Sequence, residues 1–197
     1  MGRDLGDSMD IYQVLSTKLL YLLVLLGDKA NCPQNQYRVH QNIYSSSAYP
    51  TLCFASLASR ATLIQTSPKL LAHAALNVTL STAKSTSIAM LHLSKNPGTK
   101  PREEEAMQDY LEELSDSVDE VRRSIAEMGQ IKSLNFQLTV SDIQTWVSAA
   151  LTDETTCSDG FDGKTKNGKV VRERILNIAH LTSNALALIN SYASLHA

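Results

Sequence analysis

The chain is poor in aromatic residues, with one Trp, three Phe and seven Tyr in 197 positions. Its apolar weight lies instead in Leu, Ala, Ile and Val, a composition that favours helices and argues against an all-β domain. Charge of one sign is missing too. Eighteen Lys and Arg stand against 20 Asp and Glu, a formal net charge of -2. The basic residues are scattered, so the electrostatic footprint of a nucleic-acid binder is absent. Low-complexity tracts and internal repeats are absent as well. No apolar run reaches the roughly 20 residues that cross a bilayer. The longest, Leu19 to Leu26, follows Lys18 and reads as the hydrophobic region of a secretory signal. It is an atypical one: Asp4, Asp7 and Asp10 precede it where positive charge is usual, and no small-x-small cleavage site follows. On this reading residues 1–30 are a signal peptide, residues 31–197 are one secreted domain, and no membrane segment remains after signal removal.

Catalytic signatures are also lacking. There is no nucleophile elbow, no Gly-rich phosphate loop after a strand, and no pair of His four apart on a helix. His40, His73, His92, His180 and His196 are isolated in sequence, which gives no metal-ligand spacing. Glu103, Glu104 and Glu105 crowd the start of a predicted helix, where carboxylates favour the positive end of its dipole. Asp116, Asp119 and Glu120 have Arg122 and Arg123 within a turn, as on a solvated ion-pair face. These absences predict a protein that is no enzyme and holds neither metal nor cofactor.

What the sequence does contain is helix punctuation and helical periodicity. Ser67-Pro68 supplies an N-cap with proline in the first turn, and Asn96-Pro97-Gly98 stops that helix about 27 residues on. Its predicted inner face is small: Ala75, Val78, Thr82, Ala83 and Ala89. A second helix runs from Pro101 to Gly129, with Met107, Leu111, Leu114, Val118, Val121, Ile125 and Met128 at alternating spacings of four and three. A third, from about Ser141 to Cys157, places Val140, Ile143, Val147 and Ala150 on one side, with Trp146 at the border. The last follows the turn-rich DGKTKNG segment and repeats the pattern through Val171, Ile175, Ile178, Thr182, Ala185, Ile189 and Tyr192. Short connections between four amphipathic helices predict an all-α, up-down-up-down four-helix bundle. Ahead of it, residues 36–60 read as an N-terminal helical hairpin broken at Tyr49-Pro50, since the residue before proline is pushed out of helical geometry.

Two surface features stand out. Ser141, Thr145, Ser148 and Thr152 form an uncharged polar stripe along the third helix, which serves equally as plain solvent face or as the charge-depleted centre of a protein interface. Asn77-Val78-Thr79 matches the N-glycosylation sequon, although it falls inside a predicted helix.

Three segments together resemble the plant invertase and pectin methylesterase inhibitor family. They are YPTLCFASLAS at Tyr49–Ser59, AMQDYLEELSDSVDEVRRSIAEM at Ala106–Met128, and IQTWVSAALTDETTCSDGF at Ile143–Phe161, the last being the most specific. With RILNIAHLTSNALALIN near the C-terminus, the resemblance covers about residue 36 to the end. It implies a four-helix bundle preceded by a hairpin, and four cysteines in two disulfides. Cys53 and Cys157 match the second and fourth of these, but Tyr44 and Tyr110 occupy the first and third, so each expected disulfide lacks one partner. Cys32 is left over. The family blocks pectin methylesterases of the cell wall or acid invertases of wall or vacuole. Invertase-directed members carry Pro-Lys-Phe between the second and third bundle helices; this chain has Lys132-Ser133-Leu134-Asn135-Phe136. The resemblance therefore implies a pectin methylesterase inhibitor of the apoplast, covering the enzyme's substrate cleft one-to-one. Thr145, Ser148 and Thr152 would form its centre, with Asp116 and Asp119 at the rim. The alternatives are an acid invertase inhibitor, a relative that has lost its target, or the inhibitory pro-region of a larger pectin methylesterase. The last is disfavoured by a chain that ends just after its final helix.

Overall fold

The computed structural model describes residues 47–95, 101–160 and 165–196. The signal-peptide reading, Cys32, Tyr44 and the first arm of the expected hairpin lie outside these residues. Among the described residues the order is α1 (Pro50–Leu57), a 3-10 turn (Ala58–Arg60), α2 (Ala61–Ile64), α3 (Pro68–Ser94), α4 (Pro101–Gly129), a second 3-10 turn (Ser133–Asn135), α5 (Phe136–Gly160) and α6 (Lys166–Ser194). No strand occurs among them. Helix α3 packs on α4, α4 on α5, α5 on α6, and α6 closes the ring on α3. This is the up-down-up-down bundle that the spacings predict.

The helix starts have identifiable causes. The Ser67 hydroxyl accepts the Leu70 N–H at the head of α3, where Pro68 needs no amide partner. Two helix starts differ from the sequence reading. Helix α5 begins at Phe136, not near Ser141, because Asn135 Oδ1 accepts the Lys132 N–H at 2.7 Å and the 3-10 turn runs straight into the helix. The first turn hides its pattern: Thr139 points inward while Leu138 faces solvent. Helix α6 begins at Lys166, ahead of Gly168, because Thr165 Oγ1 accepts the Gly168 N–H at 3.0 Å. That cap draws into the helix a glycine that reads as loop.

The predicted seams of α4, α5 and α6 turn inward, with only Leu111 and Ile125 partly exposed. On α3 the inner face is larger than expected, since Leu71, Leu76, Thr86 and Met90 are buried while Thr82 and Ala89 are only partly so. The apolar interior forms two clusters. One joins α1 and the start of α3 to Val121, Met128, Val140, Ile143, Leu188 and Ile189. The other holds Met90, Met107, Leu114, Cys157, Val171, Ile175 and Ile178. Between them lies a buried polar belt. Glu154 of α5 is fully buried, and its Oε1 accepts from Ser117 Oγ of α4 at 2.7 Å and Thr182 Oγ1 of α6 at 2.9 Å.

The short helix α1 docks on α6 through a reciprocal pair. Asn184 Oδ1 accepts the Tyr49 N–H at 2.9 Å, and its Nδ2 donates to the Tyr49 carbonyl at 3.0 Å. The Tyr49 ring stacks on His180, with centroids 3.8 Å apart. Nothing local in the sequence marks Asn184 or His180 for this role.

Candidate target-docking face

Much of the outer surface of α5 is built of hydroxyl side chains, beside the exposed Gln137, Leu138 and Asp142. Ser141, Thr145, Ser148, Thr152, Thr155 and Thr156 are all exposed. Five of these hydroxyls donate back to their own helix: Thr145 to Ser141 O, Ser148 to Gln144 O, Thr152 to Ser148 O, Thr155 to Leu151 O and Thr156 to Thr152 O, at 2.7–3.0 Å. Such back-bonding leaves the donors satisfied without water. A partner that covers this strip strips little charge and orphans few hydrogen bonds, so its desolvation cost is low.

Along one edge of the strip runs the seam between α4 and α5. Trp146 Nε1 donates to Glu127 Oε1 at 3.3 Å, and the Arg123 guanidinium lies 4.9 Å above the same ring. The indole is thus held between α4 and α5 by one polar and one cation–π contact. Further along, Glu120 of α4 and Asp153 of α5 bring their carboxyl groups together. Burial, then the charge and hydrogen bond of Asp153, then Asp116 push Glu120 up to about 7, against the pull of Arg123. Burial also raises Asp153, although the Glu120 hydrogen bond opposes it. Beneath them Glu154 is pushed up to about 7, chiefly by burial. The sequence reading missed this cluster, because the Ser117 and Thr182 that face Glu154 lie on other helices.

The structure brings Thr145, Ser148 and Thr152 onto one face, as their spacing requires. Asp116 is exposed on α4 and belongs to the carboxyl cluster through its charge. Asp119 is exposed too, but an ion pair with Arg122 one turn on engages it. Cys53 and Cys157 are buried free thiols. Burial raises both, Cys53 to about 11, against a Ser47 hydrogen bond, and Cys157 to about 12, with Glu113 and Asp153 adding to the rise. Neither is a nucleophile in that state. Cys157 Sγ lies 3.9 Å from the Tyr110 carbonyl oxygen, so positions 110 and 157 are neighbours across α4 and α5. Asn77 sits mid-helix in α3, with Nδ2 donating to the His73 carbonyl at 2.8 Å. The sequon's Thr79 is fully buried, bonded to Ala75 O. No group of three or more His, Cys, Asp or Glu able to hold a metal ion occurs among the described residues.

A bundle of this topology with a docked leading helix and a hydroxyl face can be compared with known proteins. The model of the plant invertase/pectin methylesterase inhibitor family matches residues 40–188. The chain belongs to this family. Among the family's members, Pectinesterase inhibitor 11 of Arabidopsis thaliana is 47% identical, over 92% of this chain and 97% of its own length. The 21 kDa protein of Daucus carota is 42% identical, over 89% and 93%. The fold is that of a solved structure described as mutant form A of a pectin methylesterase inhibitor from Arabidopsis. Its TM-score is 0.63 at 20% identity, covering 75% of this chain and 93% of that one. Buried cysteines stand at 53 and 157, and tyrosine stands at 110, where the resemblance implies a third cysteine. No helix among the described residues is long and apolar enough to cross a membrane.

Proposed function

We propose that this protein inhibits plant pectin methylesterase by laying the hydroxyl face of α5, edged by α4, over the enzyme's substrate cleft in a one-to-one complex. Family membership and relatives named pectinesterase inhibitors support the target. Pectin methylesterase is favoured over acid invertase because residues 132–136 lack the Pro-Lys-Phe element. The observation that carries the site is the strip of exposed hydroxyls already bonded to their own helix, which offers contact area at low desolvation cost. A standard interface of about 1,600 Å² needs roughly 800 Å² from each partner, within the span of two long helices. The protein contributes no chemistry of its own: it excludes substrate. Work in the apoplast and cell wall, ahead of the vacuole, is part of this reading and is supported by relatives named pectinesterase inhibitors.

The test is inhibition by the purified protein of pectin methylesterase and of acid invertase, repeated with Ser148→Lys. That lysine would stand in the middle of the strip and touch no core residue. Pectin methylesterase should be inhibited and invertase spared. Ser148→Lys should weaken inhibition at least tenfold, about 1.4 kcal/mol, with an unchanged thermal melt, whereas Ser148→Ala should inhibit like the parent. Full inhibition by Ser148→Lys would remove the α5 face from the interface. Inactivity of the parent against pectin methylesterase would favour a relative that has lost its target.

A further inference from the structure

The segment joining α4 to α5, which the docking face does not use, meets the last turn of α6 in a groove of about 450 Å³. Its walls include Ile131, Lys132, Phe136, Gln137, Tyr192 and His196. Three of these are rings in mutual contact. Phe136 and His196 stack with centroids 4.7 Å apart, and Tyr192 meets both edge-on at 5.5 and 4.8 Å. In a chain so poor in aromatics this is a concentration of rings, with His196 exposed, Phe136 partly so and Tyr192 buried behind them. His196 Nδ1 donates to the Tyr192 carbonyl at 3.0 Å, because a carbonyl can only accept, and the ring's Nε2 remains for another partner.

The electrostatics of the groove have one sign. Lys132 is exposed, and the ion pair present among the described residues, Arg122 with Asp119, does not involve it. None of the lining residues is acidic. The first turn of α5, which begins at Phe136, carries no acidic residue to offset the positive end of that helix. A volume of this size falls within the range of small-molecule sites, and an apolar wall with a few polar groups is their usual make-up.

We propose that this groove binds a ring-bearing organic carboxylate, with the apolar face of the ring on the Phe136–Tyr192–His196 group and the carboxylate at Lys132 and the amino end of α5. The inference stands on the groove alone and is independent of the docking face. An aromatic acid and a uronic-acid sugar share this chemistry, each offering a carboxylate and a ring with an apolar face.

The experiment is a titration of the 15N-labelled protein, followed by amide chemical shifts, with 4-hydroxybenzoate and with galacturonate up to about 10 mM. The methyl ester of each acid serves as the uncharged control. At least one acid should give saturable shifts at residues 131–137 and 192–196. Its ester, and the acid with the Lys132→Gln variant, should bind about threefold more weakly or worse. Saturation by 4-hydroxybenzoate alone assigns the site to aromatic acids, and by galacturonate alone to sugar acids. Two results overturn the proposal: no saturable shift at these residues with either acid, or equal binding of acid and ester together with an unaffected Lys132→Gln.

Discussion

Cys157 and Tyr110 show how far single residues can be read before and after folding. The sulfur lies 3.9 Å from the backbone oxygen of residue 110, which sets the two positions side by side on neighbouring helices, as a disulfide requires. We expect Tyr110→Cys to form a 110–157 disulfide under oxidising conditions. Closing a loop of 47 residues is worth about 4 kcal/mol in the chain-entropy model, less what the lost Tyr ring contributed. Peptide mapping without reduction, and melts of the oxidised and reduced variant, measure it. An oxidised variant no more stable than its reduced form would mean strain cancels the gain. The resemblance made positions 110 and 157 legible as a pair. The burial of Cys157 was less so, since one sulfur among Thr155, Thr156 and Ser158 carries no apolar period. Asp119 shows the converse: its carboxylate reads as a rim contact, yet it is committed to Arg122 within its own helix.

At the scale of elements, long periodic helices were legible and their ends were not. Nearly every residue on the four-three spacings of α4 and α6 faces inward, because a seam repeated over many turns averages out exceptions, but the spacings passed over the buried Ser117, Ala179, Leu181 and Leu188. The start of α5 depended on one side chain, Asn135, reaching back to Lys132, a local event that no periodicity announces. Helix α1 is held by a residue 135 positions away, and sequence spacing carries nothing about such a partner. Asn184→Ala should therefore free the Tyr49 N–H and carbonyl together and destabilise the protein by about 2–3 kcal/mol, the worth of two part-buried hydrogen bonds and their desolvation. Denaturant titration measures the loss, and limited proteolysis should show earlier cleavage near Tyr49. Unchanged cleavage there would show that ring stacking on His180 suffices to hold α1.

For the molecule as a whole, the buried carboxyl of Glu154 links stability to pH. Burial raises it to about 7 from an ordinary value near 4.5, and Thr182 and Ser117 hydrogen bonds only partly oppose this; Asp153 and Glu120 add to the rise. Among the described residues no cation pulls it back down; Arg123 acts on Glu120 instead. A folded-state pKa above the unfolded one means the folded protein binds the extra proton. The associated stability is complete below about pH 4.5 and is lost as pH climbs through about 7. Unfolding free energy should thus fall on the order of 3 kcal/mol between pH 4.5 and 7.5 from Glu154, at about 1.4 kcal/mol per unit. Glu120 adds in the same direction. Glu154→Gln keeps an oxygen for both hydroxyls and should flatten most of this slope; a slope unchanged in that variant would assign it elsewhere. The belt formed by Ser117, Glu154 and Thr182 has a further consequence. Seams of Leu, Ile, Val and Met on α4, α5 and α6 would still mesh if one helix slid along its neighbours by a turn, since apolar contacts are interchangeable. The carboxyl is not interchangeable. A slide of one turn would carry Glu154 away from both hydroxyls and into a layer of Met, Ile or Leu, where nothing receives it. The belt therefore acts as a key cut for a single lock position. Replacing Glu154 by Leu should give a bundle that resists heat at least as well but settles into more than one alignment, visible as doubled amide resonances.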